Sequence, residues 1–403
     1  MKFSAIRVPL LFFLIIALIG VLMRASGYLT LPLPYIHFLH AHSHVAFQGW
    51  IYTAIFLLLT SSFVDDGQIE KGHYLLQFRL TVITLFGILI AFLFQGYGPI
   101  SIGISTLFQG LNYWFFFRFF NDSNRSLPTK APEALLIKSG ILFGILSTLA
   151  PYFIGYLAAT GRKSTDLYDS AIYFFLHFQY NGFFLLTLLG LWTYSLRSLI
   201  PEKDRLWLRK GAWLIVIATP LSYFMSLLGN DYREIAILPS ILAATLLLPG
   251  TYLIGRALLK WSVVPRKNSN WGSWIWKISI FTFFLKTILQ VISITPSLEF
   301  FAFSNRNIVI AYMHLVLIGT LSLGFISIFI QRGWIPIDPL SRTGFLLLLL
   351  GFIITEMALI HSALSGDGHP MILLIFSGSM LTGILLILFS VRSSSGFNFQ
   401  KKH

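Results

Sequence analysis

Residues 6–23 read IRVPLLFFLIIALIGVLM, and Arg24 closes them. A helix needs about 20 mostly apolar residues to cross the hydrocarbon layer of a membrane, and this run is of that length. It outlasts the apolar core of a typical secretory signal, and no small-residue cleavage site follows it before the next apolar stretch. It therefore reads as an anchored helix. Eleven further runs share its character: 43–63, 76–95, 99–120, 134–158, 170–196, 211–229, 236–258, 274–294, 308–330, 343–363 and 370–391. Together they predict an all-α, polytopic membrane protein of twelve transmembrane helices, forming a single helical-bundle domain over 1–403.

Composition agrees. Of the 403 residues 56% are hydrophobic and 11% charged, whereas a soluble domain carries about 25% charged residues. Basic residues test the topology independently, because Lys and Arg collect in cytoplasmic loops. With the N-terminus and the even-numbered loops on one side, that side holds 23 of the 29 Lys and Arg. Arg24, Arg162, Lys163, Arg233 and Arg306 fall on the other, and Lys286 lies within the ninth span. Both termini are thus expected in the cytoplasm. The net charge of +14 sets orientation and meets anionic lipid, so membrane lipid is the expected partner and nucleic acid is not.

Several chemistries are excluded. Cysteine is absent, which rules out disulfides, thiolate metal sites and covalent haem attachment. No phosphate-cradling glycine loop, dinucleotide fingerprint, HExxH or GxSxG occurs. No internal repeat emerges either: two six-helix halves would need a counterpart at span eight to the histidine-rich entry of span two. The aromatic run Tyr113–Trp114–Phe115–Phe116–Phe117 reads as a lipid-facing or interfacial belt.

Histidine is the informative residue. His73 falls in a cytoplasmic loop and His403 at the end of the chain; the other eight are His37, His40, His42, His44, His177, His314, His361 and His369. The topology places all eight in the outer third of the membrane, where ionisable side chains mark functional sites. The densest group is His37-Phe-Leu-His40-Ala-His42-Ser-His44, followed by Val-Ala-Phe-Gln48-Gly49-Trp50. On a helix His37, His40 and His44 share one face and His42 points away. Gly49 would let a flat macrocycle or a neighbouring helix approach closely. In the second group His177, Tyr180 and Asn181 share a face, so Tyr180 and Asn181 could hydrogen-bond a ligand histidine, a propionate or a water. His314 and His361 each add one imidazole at similar depth. Imidazoles without thiolates suit haem iron, copper or zinc. Lys286 and Glu356, the deepest ionisable residues, are expected to pair or to line a hydrated cavity. Few other acids lie in the spans, which argues against a proton pump.

Twelve helices, histidines in the outer half, and His42-Ser-His44 ahead of Gly49-Trp50 resemble subunit I of the haem–copper oxidases. The likeness is nearest to the cbb-type oxidase and nitric oxide reductase branch and to the NnrS-type membrane haem and copper proteins. It spans the whole chain by topology but only three or four short motifs by sequence. The resemblance implies a haem ligand among His40, His42 and His44, a haem ligand at His314, and a metal ligand at His177. It also has departures: span seven has no histidine where that family has an adjacent pair, and span ten has one where the family has two. A haem-binding relative with altered catalysis fits better than an orthodox terminal oxidase.

The combined expectation is a membrane haem protein, with non-covalent b-type or related haem and copper or another transition metal as a second cofactor. It would bind or reduce O2 or NO in a bacterial-type cytoplasmic membrane, receiving electrons from a donor subunit or cytochrome at the outer face. His40, His42, His44 and His314 would hold haem, and His177 and His361 a metal. Gln48, Tyr180, Asn181, Lys286 and Glu356 would surround them. The alternative expectation is a transporter or metal-handling permease that uses the histidines as a metal or proton site.

Overall fold

The computed structural model describes residues 5–123, 126–261, 270–295, 298 and 305–391, and those residues form helices, turns and loops without a strand. The long helices are α1 Arg7–Ala25, α2 Tyr35–Phe63, α3 Tyr74–Gln95, α4 Pro99–Asp122, α5 Pro132–Ala159, α6 Asp166–Leu196, α7 Glu202–Leu227, α8 Arg233–Trp261, α9 Asn270–Ile292, α10 Arg306–Gln331, α11 Pro339–Ser365 and α12 Pro370–Ser390. Among the described residues, eleven helices are long and apolar enough to cross a membrane. The chain is an all-helical protein of multi-pass membrane character. The other expected span, 99–120, also folds as a helix of 24 residues, but it is more polar, with Gln109, Asn112, Arg118 and Asp122 along it. His403 and both chain ends lie outside the described residues.

Local chemistry explains the helix ends. Proline occupies the first turn of α4, α5, α11 and α12, where its missing N–H and fixed φ carry no penalty. Asp338 and Ser341 form a capping box at the start of α11, and Gly366 ends that helix in the left-handed region, at φ +79°.

The chain divides into two compact units: Met1–Ser126 with Phe329–His403, and Leu127–Ile328. In the first, α11 and α12 form a hairpin whose backbones meet at small residues. A Cβ on Gly344 would lie 2.6 Å from the Gly383 carbonyl oxygen, and one on Gly383 would lie 2.6 Å from the Gly344 carbonyl oxygen. Such glycine-to-glycine approach substitutes for the hydrophobic drive that lipid removes. Arg7 clamps the start of α1 to the end of α12 through the Val391 carbonyl, at 2.6 and 3.2 Å. The aromatic run of α4 is split between two environments. Tyr113 and Phe117 are exposed, but Phe115 and Phe116 are core, with Phe115 stacked on Phe56 at 4.1 Å between centroids. A belt was expected there; the helical period instead turns the adjacent Phe115 and Phe116 rings inward.

In the second unit α7 and α8 meet in the same manner at Gly211 and Gly250, where an added Cβ on either would lie 3.2 Å from the other's carbonyl oxygen. Trp192 of α6 and Trp276 of α9 pack ring on ring at 5.1 Å. Both are fully buried.

Candidate functional site

Three of the long helices are interrupted by a π-helical turn, and each interruption begins directly after a histidine. In α2 the α-helix runs to His44 and the π turn covers Val45–Ile51. In α6 it runs to His177 and the π turn covers Phe178–Phe184. In α10 it runs to His314 and the π turn covers Leu315–Ser322. The exit from each is marked by an i to i−5 hydrogen bond: Tyr52 N–H to Phe47 O, Leu185 N–H to Tyr180 O, and Leu323 N–H to Ile318 O. The π-helix is rare and, where it occurs, concentrates at functional positions.

Hydroxyls support these loosened turns. Thr53 donates to the Gly49 carbonyl, Ser322 to Leu317 O at 2.7 Å, and Ser279 of α9 to Thr320 O at 2.6 Å. Glycine admits the neighbouring helix. An added Cβ at Gly49 would lie 2.9 Å from the Phe12 ring of α1, and at Gly182 2.7 Å from Phe143 Cβ of α5. Of the two occupants foreseen for Gly49, a macrocycle or a helix, the structure shows the helix.

The sequence carries a signature of these turns that composition and apolar periodicity pass over. His44–Gly49, His177–Gly182 and His314–Gly319 share the spacing H-x4-G, and they recur on the second, sixth and tenth long helices. This is a period of four helices, where six-helix halves were sought. Spacing alone is insufficient: His361–Gly366 has it too, yet there the glycine is a left-handed helix cap.

In the first unit the four clustered histidines divide as helical geometry demands. His37 donates from Nδ1 to Leu93 O at 3.0 Å. His40 meets the Tyr97 ring edge-on at 4.5 Å. His44 stacks on Phe92 at 4.1 Å and places Nε2 2.9 Å from the Tyr97 hydroxyl. His42 points the other way, to α1, where its Nδ1 lies 3.1 Å from Ile16 O and its ring rests over Gly20. A carbonyl only accepts, so Nδ1 carries a proton. That is the arrangement of a metal-binding imidazole held by an outer hydrogen bond. Gln48, inside the π turn, is buried, and its Oε1 has no hydrogen-bond partner among the described residues. Glu356 is buried on α11. His361 and His369, at the α11–α12 connection, face each other with His369 Nε2 2.7 Å from His361 Nδ1; His361 is exposed.

In the second unit His177 is 1% exposed and uses both ring nitrogens. Nε2 donates to Thr219 O of α7 at 2.8 Å, with Ser222 Oγ at 3.4 Å, and Nδ1 accepts from Asn181 Nδ2 at 3.3 Å. Asn181 in turn accepts from Lys286 Nζ at 2.6 Å, and the same ammonium donates to Gln290 Oε1 at 2.9 Å. Lys286, 2% exposed, thus hydrogen-bonds two amide oxygens in the second unit, whereas Glu356, the partner foreseen for it, belongs to the first. The Tyr180 hydroxyl lies within side-chain hydrogen-bonding reach of Asn181. His314, half-buried, ends the α-helical part of α10. An apolar cavity of about 270 Å³ opens in this unit, walled by Phe153, Phe174 and Tyr223 among others; Tyr223 also packs edge-on to the His177 ring at 6.1 Å.

No protein-family model matches the chain, and no curated protein matches it significantly.

Proposed function

We propose that the protein is a membrane haem protein that holds non-covalent haem through histidines at its π turns and binds or reduces a diatomic gas, O2 or NO. The observation that carries this reading is the placement of His44, His177 and His314, each the last α-helical residue before a π turn. Three coincidences of a rare backbone feature with the residue best suited to bind iron favour a shared chemical role.

Whether the residues suit haem can be judged from their hydrogen bonds. His42 has its Nδ1 proton anchored on Ile16 O, the kind of outer hydrogen bond that orients a ligand imidazole. The reading assigns iron ligation to the His40, His42 and His44 group and to His314. Haem would supply an iron centre able to bind the gas. His177 is committed at both nitrogens, so a copper or other metal ion at this position would require Asn181 to release it; haem is the better-supported cofactor. The reading places the protein in a bacterial-type cytoplasmic membrane, with an electron-donor subunit or cytochrome at the outer face.

A reduced-minus-oxidised visible spectrum of the detergent-purified protein, with metal analysis on the same sample, tests the reading. A Soret band that disappears in His42→Ala, His44→Ala or His314→Ala variants supports it. Protein that stays colourless after haem-replete expression overturns it.

The second reading, a metal-handling permease, is favoured by one observation: the exposed His361–His369 pair, two imidazole nitrogens 2.7 Å apart. A zinc-dependent rise in stability without haem would select it.

A further inference from the structure

We infer that the second unit contains a buried oxyanion site centred on Lys286, with Gln290 and Tyr180 as further donors, which takes a carboxylate. The inference goes beyond the haem reading, and only one of its two ligand sources depends on that reading.

Lys286 is 2% exposed in the middle of α9, a helix long and apolar enough to cross a membrane. No carboxylate lies within ion-pair distance of it among the described residues. A buried ammonium in an apolar bundle is expensive unless an anion compensates it. The two partners it has, Asn181 Oδ1 and Gln290 Oε1, are neutral amides. They satisfy two of its three N–H donors and leave the charge in place.

Hydrogen-bond accounting points the same way. The network engages Asn181 Oδ1 and Gln290 Oε1 with Lys286, His177 Nδ1 with Asn181, and Thr219 O with His177, each oxygen keeping one further lone pair. Donors are also left over. Lys286 has its third N–H and Gln290 its amide NH2, and the Tyr180 hydroxyl stands beside Asn181. A buried ammonium with an N–H to spare and no carboxylate partner among the described residues is matched by a ligand that is negative and offers only acceptors. A carboxylate has two oxygens with about four lone-pair sites and no N–H or O–H of its own.

Such a carboxylate could come from either of two sources, a free small acid or a propionate of bound haem, and two arms distinguish them. In the first arm, the full-length protein, prepared without haem and reconstituted in lipid nanodiscs, is unfolded thermally across a formate titration at constant ionic strength. A saturable rise in midpoint that is lost in Lys286→Gln and at least halved in Tyr180→Phe supports a free-acid site. In the second arm, haem is compared with its dimethyl ester. At least tenfold tighter binding of the free acid, abolished by Lys286→Gln, supports a propionate site. Should Lys286→Gln fail to fold, Tyr180→Phe and the wild-type titrations still decide the matter. Protein that ignores formate and binds haem and ester alike, or binds neither, overturns the site and leaves Lys286 an uncharged amine in a polar network. Because the formate arm contains no haem, its success or failure stands apart from that of the haem reading.

Discussion

Lys286 Nζ sits 2.6 Å from Asn181 Oδ1, and this contact determines the protonation pattern of a histidine one residue further along the network. An ammonium only donates, so the Asn181 oxygen must face it. The Asn181 NH2 is thereby turned to His177 Nδ1, which must accept, and the His177 proton is confined to Nε2, facing the Thr219 carbonyl. A side chain on α9 thus selects the tautomer of one on α6.

The tautomer is directly measurable. Nitrogen-15 NMR of histidine-labelled protein is expected to show His177 as the neutral Nε2–H form in the wild type. In Lys286→Met the Asn181 amide is released to flip, and the Nδ1–H form should become populated. Finding Nδ1–H already dominant in the wild type would sink the relay.

Asn181→Leu should be more harmful than its size suggests. It strips a hydrogen-bond partner from a buried ammonium and a buried imidazole at once, and breaking a buried charged network by removing one partner costs about 3–5 kcal/mol. Asn181→Asp, which keeps an oxygen for Lys286, should lose less. Unfolding in mixed detergent measures both; a leucine variant within about 1 kcal/mol of wild type is incompatible with the network as described.

The glycines of the π turns predict a contrast along the chain. Gly49→Ala and Gly182→Ala place a methyl group against Phe12 and Phe143 at 2.9 and 2.7 Å, and overpacking of this kind costs about 1–3 kcal/mol. Gly103→Ala and Gly110→Ala in α4 meet nothing within 4 Å, so helix propensity alone should make them neutral or up to about 1 kcal/mol more stable. Equal effects at all four positions would contradict the packing.

At the α11–α12 hairpin the obstacle is backbone. A Cβ on Gly383 would lie 2.6 Å from Gly344 O and 2.7 Å from Leu348 N, atoms that cannot rotate away. Gly383→Leu should therefore part the two helices and lower the unfolding midpoint more than either π-turn alanine does. A smaller loss would mean that the helices slide to accommodate it.

For the exposed His361–His369 pair, a divalent metal that binds only the folded protein stabilises it by about 2.7 kcal/mol at a hundredfold excess over its dissociation constant. On the permease reading, Zn2+ or Cu2+ should shift unfolding in the wild type and not in His369→Ala. An unchanged shift in the variant would place the metal elsewhere.

Much of this protein was legible from its residues. Apolar runs such as 6–23 and 370–391 dictate their own secondary structure, because a chain in lipid must satisfy its backbone internally and the helix does so locally. The opposed directions of His42 and His44 follow from helical geometry in the same way. The H-x4-G spacing was also present to be read, but its meaning was hidden, since His361–Gly366 shares it and forms a helix end.

What the residues left open depended on neighbours distant in sequence. Lys286 was legible as a buried charge needing a partner, and Gln290, four residues on along the same helix, is a local one; its second acceptor, Asn181, reaches it only because α6 comes against α9 there, a relation that no local pattern encodes. The same holds for the inward turn of Phe115 and Phe116, and for the use of both His177 nitrogens. Helix formation is decided by bonds four residues apart, so sequence alone determined it. Partner choice is decided by contacts such as the 105 residues between Asn181 and Lys286, so only the tertiary structure could.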